Sequence, residues 1–235
     1  MKNGLKDLRF VIVGLPRTGT HALASVLHQH PDVVCVSEVL HPKILAVNGN
    51  ASWSRDEVFH DPLQQVNAIW ELVNGFSIQS THTQSRKFIH AAVYIPGVKV
   101  IKPTRNFIDL VASRIIASTQ SRWVEYKERE RRTDKLNIGE GTVRGNCNHI
   151  QHALRWQDVI LKNKAAEDVL ELPYEQLIED IDHWRASVFS FLGLRQDMID
   201  LPVPKTKRQV PNWRDRIQDP DGLEAIIREF LPPKK

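Results

Sequence analysis

Apolar and polar positions along this chain follow two periods, one for strands and one for helices. The β-branched and aromatic run 10–13 stops at Gly14 and Pro16, and a helix-compatible stripe runs from Thr18 through Leu27. This predicts strand, tight loop and helix N-terminus in succession. Pro31 closes that helix, and 33–36 predicts a short second strand with Glu38 and His41 beyond its carboxyl end. Patterning is weaker over 43–97. There 54–73 predicts a helix broken at Pro62, with Trp70 and Leu72 packed, 82–86 predicts loop, and the region is expected to cap the substrate side. A third strand is predicted at 98–101, between Gly97 and Pro103, followed by a helix at 106–120 with apolar residues at 107, 108, 110, 111, 115 and 116. The charged stretch 123–135 reads as a solvated helix face, and 139–145 as a flexible glycine loop. A helix at 148–162, a strand at 168–172 and helices at 175–179 and 183–192, ending at Gly193, come next. A last amphipathic helix is predicted at 222–230. Strands alternating with helices imply a parallel sheet covered on both faces.

Composition narrows the class without naming a function. At 235 residues the chain suits one large α/β domain, 1–235, with a substantial core. Its 41% apolar and 26% charged content is ordinary for a globular protein. A net charge of +4 favours anionic ligands, but the basic residues are scattered and the six Trp dispersed, so no nucleic-acid partner is expected. Cys35 and Cys147 form no CxxC and fit a reducing, cytoplasmic setting. The first 30 residues carry no secretory pattern, and no run approaches the roughly 18 apolar residues of a membrane span, so none is expected.

The strand–loop–helix at 10–27 supplies the first chemistry. Free N–H groups of a first helical turn, with Arg17 beside them, suit a dianionic group, and Gly19 lets backbone approach it closely. A nucleotide triphosphatase loop is GxxxxGK[ST], in which Lys meets the β/γ-phosphates and Ser/Thr the Mg²⁺. Gly14 and Gly19 keep the glycine spacing, but Thr20 replaces the Lys and His21 the Ser/Thr. A loop with its cation moved forward to Arg17 suits a ligand with one 5′-phosphate and no metal. The expected architecture is thus P-loop-like, a three-layer α/β/α fold around a central parallel sheet. An ordinary strand-to-helix turn with a surface arginine is the plainer alternative.

Pro16-Arg17-Thr18-Gly19-Thr20 resembles the 5′-phosphosulfate loop of sulfotransferases that use 3′-phosphoadenosine 5′-phosphosulfate (PAPS). Arg105 after a strand, with Ser113 eight residues on, is similar to that family's 3′-phosphate motif. The run 117–123, ending in Trp123, looks like the bacterial carbohydrate sulfotransferases of the trehalose and nodulation-factor type. Leu172-Pro173-Tyr174-Glu175-Gln176-Leu177 resembles the segment whose Tyr lies near the adenine, and 189–194 the segment that follows it. Lys207-Arg208-Gln209 resembles the basic loop that closes over the nucleotide. The resemblance implies a cytoplasmic, metal-free sulfotransferase that takes PAPS, releases 3′,5′-ADP and sulfates a hydroxyl on a small molecule or glycan. The implied donor-binding residues are Pro16, Arg17, Thr18, Gly19, Thr20, His21, Arg105, Ser113, Tyr174, Lys207, Arg208 and Gln209.

Such a reaction needs charge stabilisation on the leaving oxygen, expected from Arg17 and the amides of Thr18 to His21, and a base near the acceptor. Glu38, twenty-one residues beyond Arg17, is similarly placed to the catalytic glutamate of glycan sulfotransferases. His41 is the second candidate, followed by His21, then His82 and His90. A nucleotide kinase and a PAPS- or 3′,5′-ADP-binding protein without catalysis are the rival classes. The acceptor and the oligomeric state, homodimer included, are left open.

Overall fold

A computed structural model describes residues 7–39, 61–79, 85–120, 134–198 and 212–231. They divide into two compact units, 1–104 with 156–204 and 105–155 with 205–235. The first is built on five parallel strands: β1 (Arg9–Gly14), β2 (Cys35–Val36), β3 (Gly75–Gln79), β4 (Val98–Thr104) and β5 (Val169–Pro173). Their order is β2-β3-β1-β4-β5, with β1 in the middle. The helices of this unit are α1 (Thr20–Gln29), α2 (Pro62–Trp70), α3 (Ser85–Val93), the last turns of α5 (Glu140–Leu161), α6 (Tyr174–Glu179) and α7 (Ile181–Leu192).

Strand alternation assigns each face. Phe10 and Ile12 of β1 point into a cluster with Leu23 and Leu27 of α1 and with Trp184 and Phe189 of α7. Val11 and Val13 point the other way, onto Ile69 and Trp70 of α2, Phe88 and Val93 of α3, and Ile160 of α5. A strand apolar on both faces must be covered on both, which gives three layers. Cysteine chemistry plays no part in that packing: both thiols are free and buried.

Several sequence expectations are corrected. Within 43–97, residues 75–79 are not a cap but the strand between β1 and β2, and Ser85–Val93 is a helix packed on that sheet. Leu72 is exposed while Trp70 is buried, because Trp70 lies on the inner face of α2 with Val66 and Ile69 and Leu72 stands in the turn beyond its end. The second strand spans only Cys35–Val36. The fourth runs through Pro103 to Thr104, because β1 stops pairing with it at Ile101. Beyond that point β4 has β5 alone as partner, and a residue without an N–H is tolerated there.

In the second unit, Asn106 caps α4 (Phe107–Thr119) by accepting from the N–H groups of Ile108 and Asp109. Residues 140–145 are the first turns of α5 rather than a loop. Each glycine there costs about 1 kcal/mol of helix propensity, but burial of Val143, Cys147 and Ile150 on one face overrides it. Arg144 adds ion pairs to Glu140 at 2.6 Å and Glu229 at 2.8 Å. Asp219 caps α8 (Pro220–Arg228), and the Trp213 indole donates to Asp109 at 2.8 Å. The stretches 54–60 and 123–133, read as helical from sequence, lie outside the described residues.

Candidate active site

The site begins where β1 ends. Gly14 admits no side chain, since a Cβ there would collide with Thr20 Cγ2. Leu15 and Pro16 are buried, and Pro16, with no N–H, shapes the loop rather than donating from it. Thr18 closes the turn twice, its N–H and hydroxyl both donating to the Leu15 carbonyl, at 3.3 and 2.8 Å. The Thr18 amide, expected to face the ligand, is therefore engaged within the loop. Arg17 and Gly19 both have left-handed backbones, with φ of 76° and 90°. Alternation of this kind turns successive N–H groups toward one concavity, a known way to hold an anion. Gly19 then caps α1, whose first N–H groups have no intrahelical partner. Tyr174, the first residue of α6, lays its ring against this loop: a Cβ on Gly19 would sit 2.7 Å from Tyr174 Cδ2.

Glu38 lies just past β2 with φ of 51°. Among the described residues, Arg17 and Glu38 are the non-glycine residues with positive φ. Such a conformation costs about 1–3 kcal/mol and persists where surrounding contacts fix it. Here they do. The Glu38 N–H donates to Ser77 Oγ at 2.7 Å, and Gln79 Nε2 donates to Glu38 Oε1. His21 Nε2 lies 2.9 Å from that same oxygen, an ion-pair contact whose ring N–H is not aligned as a hydrogen bond. The other ring nitrogen, Nδ1, meets Ser37 Oγ at 2.8 Å, and Ser37 Oγ lies 3.3 Å from Ser77 Oγ.

The first unit thus brings Glu38 and His21 together and sets Tyr174 against Gly19. Ser37, Ser77 and Gln79 belong to the same network, and none of them is a sequence-predicted site residue. A signal for Ser77 is present: a polar residue between Phe76 and Ile78, here completely buried. His90 stands apart, its ring tilted against that of Tyr94 with centroids 4.7 Å apart. In the second unit, Arg105 precedes the Asn106 cap, and Ser113 is buried two turns into α4. His41, His82, Trp123, Lys207, Arg208 and Gln209 lie outside the described residues. Among those described, no cluster of three or more His, Cys, Asp or Glu could hold a metal ion, and no helix is long and apolar enough to cross a membrane.

Residues 7–210 match the family model described as the sulfotransferase domain. The chain is 24% identical to Nodulation protein H of Rhizobium tropici over 197 residues, which is 78% of this chain and 75% of that protein. Its fold is similar to a crystal structure of a sulfotransferase from Alicyclobacillus acidocaldarius, with a TM-score of 0.54 and 19% identity, covering 95% of this chain and 92% of the other. It is also similar to a mouse sulfotransferase complexed with PAP, with a TM-score of 0.55 and 13% identity, covering 97% and 84%.

Proposed function

This chain belongs to the sulfotransferase domain family, and on that premise we propose that it moves a sulfuryl group from PAPS to a hydroxyl of a carbohydrate or glycolipid. The observation that carries this reading is Glu38, held beside the phosphate loop by Gln79 and by His21, a residue of the loop's own helix. A largely buried, positioned carboxylate next to an anion-binding turn is what a metal-free transfer to a hydroxyl requires.

In this reading the loop amides beyond Thr18, with Arg17, bind the 5′-phosphosulfate. Arg105 and Ser113 serve the 3′-phosphate, and Tyr174 lines the donor site from its place on Gly19. The acceptor oxygen attacks sulfur in line with the bridging oxygen, and its proton passes to the Glu38 carboxylate. As the new O–S bond forms, the S–O bond to the donor breaks and its electron pair stays on the phosphate of 3′,5′-ADP. Donors preorganised for that developing charge are typically worth about 3–4 kcal/mol each, and a placed base contributes about 10²–10⁴-fold. The motif resemblance to carbohydrate enzymes supports a sugar acceptor, and the PAP complex of a structural neighbour supports the donor.

A screen of pooled mono- and oligosaccharides with sulfate-labelled PAPS tests this. A labelled sugar is the expected result. Tight 3′,5′-ADP binding with no labelled product would instead favour a nucleotide-binding protein without catalysis.

A further inference from the structure

The contacts described for Glu38 come from β3 and α1, and the hydrogen positions they require agree with one another. Ser77 Oγ accepts from the Glu38 N–H, so its own proton is available to Ser37 Oγ at 3.3 Å. Ser37 is then able to donate its proton to His21 Nδ1 at 2.8 Å. An imidazole that accepts at Nδ1 carries its proton on Nε2 when neutral. That nitrogen is the one 2.9 Å from Glu38 Oε1. Gln79 Nε2 donates to the same oxygen. The chain from β3 through Ser37 to α1 therefore has one consistent direction, ending with a protonated Nε2 2.9 Å from the carboxylate oxygen that the Gln79 amide also meets.

We propose that His21 is a positioning residue for Glu38: through Ser37 its ring is held in the Nε2–H form, with that nitrogen against the carboxylate. This rests on the reading of Glu38 as the base. Because His21 stands in the first turn of α1, directly after the Gly19 cap, the same turn that receives the donor's phosphate also sets the base. A shift of this turn on donor binding moves both together. Among the contacts described for Glu38, His21 is titratable, while Ser77 and Gln79 are neutral, as is Ser37 behind His21. Arg17 is the cation carried by the same loop.

A proton-bearing nitrogen held against a carboxylate favours the charged form and lowers its pKa, so removing that nitrogen raises it. The test compares His21→Asn, His21→Gln, Ser37→Ala and Glu38→Gln, using sulfate-labelled PAPS and the pooled saccharides over a range of pH. His21→Asn keeps a group near Nδ1 but none near Nε2. Its 3′,5′-ADP affinity is measured in parallel, and turnover is read at saturating PAPS so that any change in donor binding is separated from the effect on the base. Turnover should fall about tenfold or more, less than the about 10²–10⁴-fold of losing the base itself. The acid limb of its pH–turnover profile should move to higher pH. His21→Gln, whose amide nitrogen reaches the Nε2 position, should recover part of both effects, and Ser37→Ala should move the limb in the same direction by less. An unmoved acid limb in His21→Asn and Ser37→Ala overturns the inference about His21. Full activity of Glu38→Gln overturns instead the reading of Glu38 as the base.

Discussion

Gln79 is the register partner of Gly14 in the parallel β1–β3 ladder. The strand that ends in a donor to Glu38 therefore runs beside the strand that ends in the phosphate loop. Ladder hydrogen bonds fix this relation residue by residue, and a slip of one position would turn Gln79 to the opposite face. Phe76 and Ile78 prevent the slip, since both are buried against α2 and α3. Core packing on one face of β3 thus sets the polar side chains Ser77 and Gln79 on the other.

Gly19→Ala meets two obstacles. Its φ of 90° is costly for a residue with a Cβ, and that Cβ would collide with Tyr174. The left-handed backbone alone costs roughly 1–2 kcal/mol. Thermal melting should show a loss of at least that size, and calorimetry should show 3′,5′-ADP binding weakened further, because relief requires moving either the loop or Tyr174. A variant with native melting and native affinity would mean that the loop adopts another conformation in solution.

Gln157 acts from the opposite face of the sheet. Its side chain is 1% exposed, and Nε2 donates to the Val13 carbonyl at 3.2 Å. Val13 lies just beyond Ile12, the last residue of β1 paired to β4, so a side chain from α5 takes up the bonding there. Gln157→Leu leaves a buried carbonyl without this donor, at about 1–3 kcal/mol. Denaturant unfolding should show that loss. Since Gly14 follows directly, affinity for 3′,5′-ADP should fall as well. Gln157→Glu, which retains shape but not the donor, should do no better.

How far the sequence disclosed this arrangement depends on where the information lay. The loop was legible because Gly14, Pro16 and Gly19 each meet a local backbone requirement, and local requirements leave marks in short windows. The helices α1, α4 and α7 were legible from caps and apolar stripes. β3 was not, because Gly75-Phe76-Ser77-Ile78-Gln79 has only two strong strand formers, and its place in the sheet depends on β1 and β2. Gly75 itself serves packing, for a Cβ there would run into the Phe10 ring. The N-terminal turns of α5 were hidden for the opposite reason: Gly141 and Gly145 oppose the helix locally, and tertiary burial of Val143 and Cys147 outweighs them. Glu38 could be placed after a strand, but its link to His21 spans two elements and follows from no spacing.

The two thiols should be silent in the folded protein. Burial pushes the Cys35 thiol far above its usual range and Cys147 up to about 11. Alkylation proceeds through the thiolate. At pH 8 an alkylating reagent should therefore label neither residue in native protein and both in denaturant, read as mass increments. Raising the pH to about 9 should change little before unfolding, because both groups stay mostly protonated. Rapid native labelling of Cys35 would show that the β2 edge opens, and with it the support of Glu38, three residues on.

Arg105 offers the sharpest separation of the two phosphates. It stands immediately before Asn106, the residue that caps α4 and accepts from two of its N–H groups, so its backbone is fixed by the helix start. Ser113 is buried farther along the same helix. If this pair holds a 3′-phosphate, Arg105→Ala should weaken 3′,5′-ADP by about 1.5–3 kcal/mol, the range for a charge-assisted hydrogen bond. The affinity of 5′-AMP, which lacks that phosphate, should hardly change. Ser113→Ala should give the same selectivity with a smaller loss, since a neutral hydroxyl contributes less than a guanidinium. Chelator should alter neither measurement, because the loop has no magnesium hydroxyl at position 21 and no lysine at position 20. Arg105→Lys is a further control: an ammonium keeps the charge but cannot present two parallel N–H groups, so this variant should recover only part of the loss. Equal weakening of both nucleotides by Arg105→Ala would remove Arg105 from the 3′-phosphate and assign it to the support of α4.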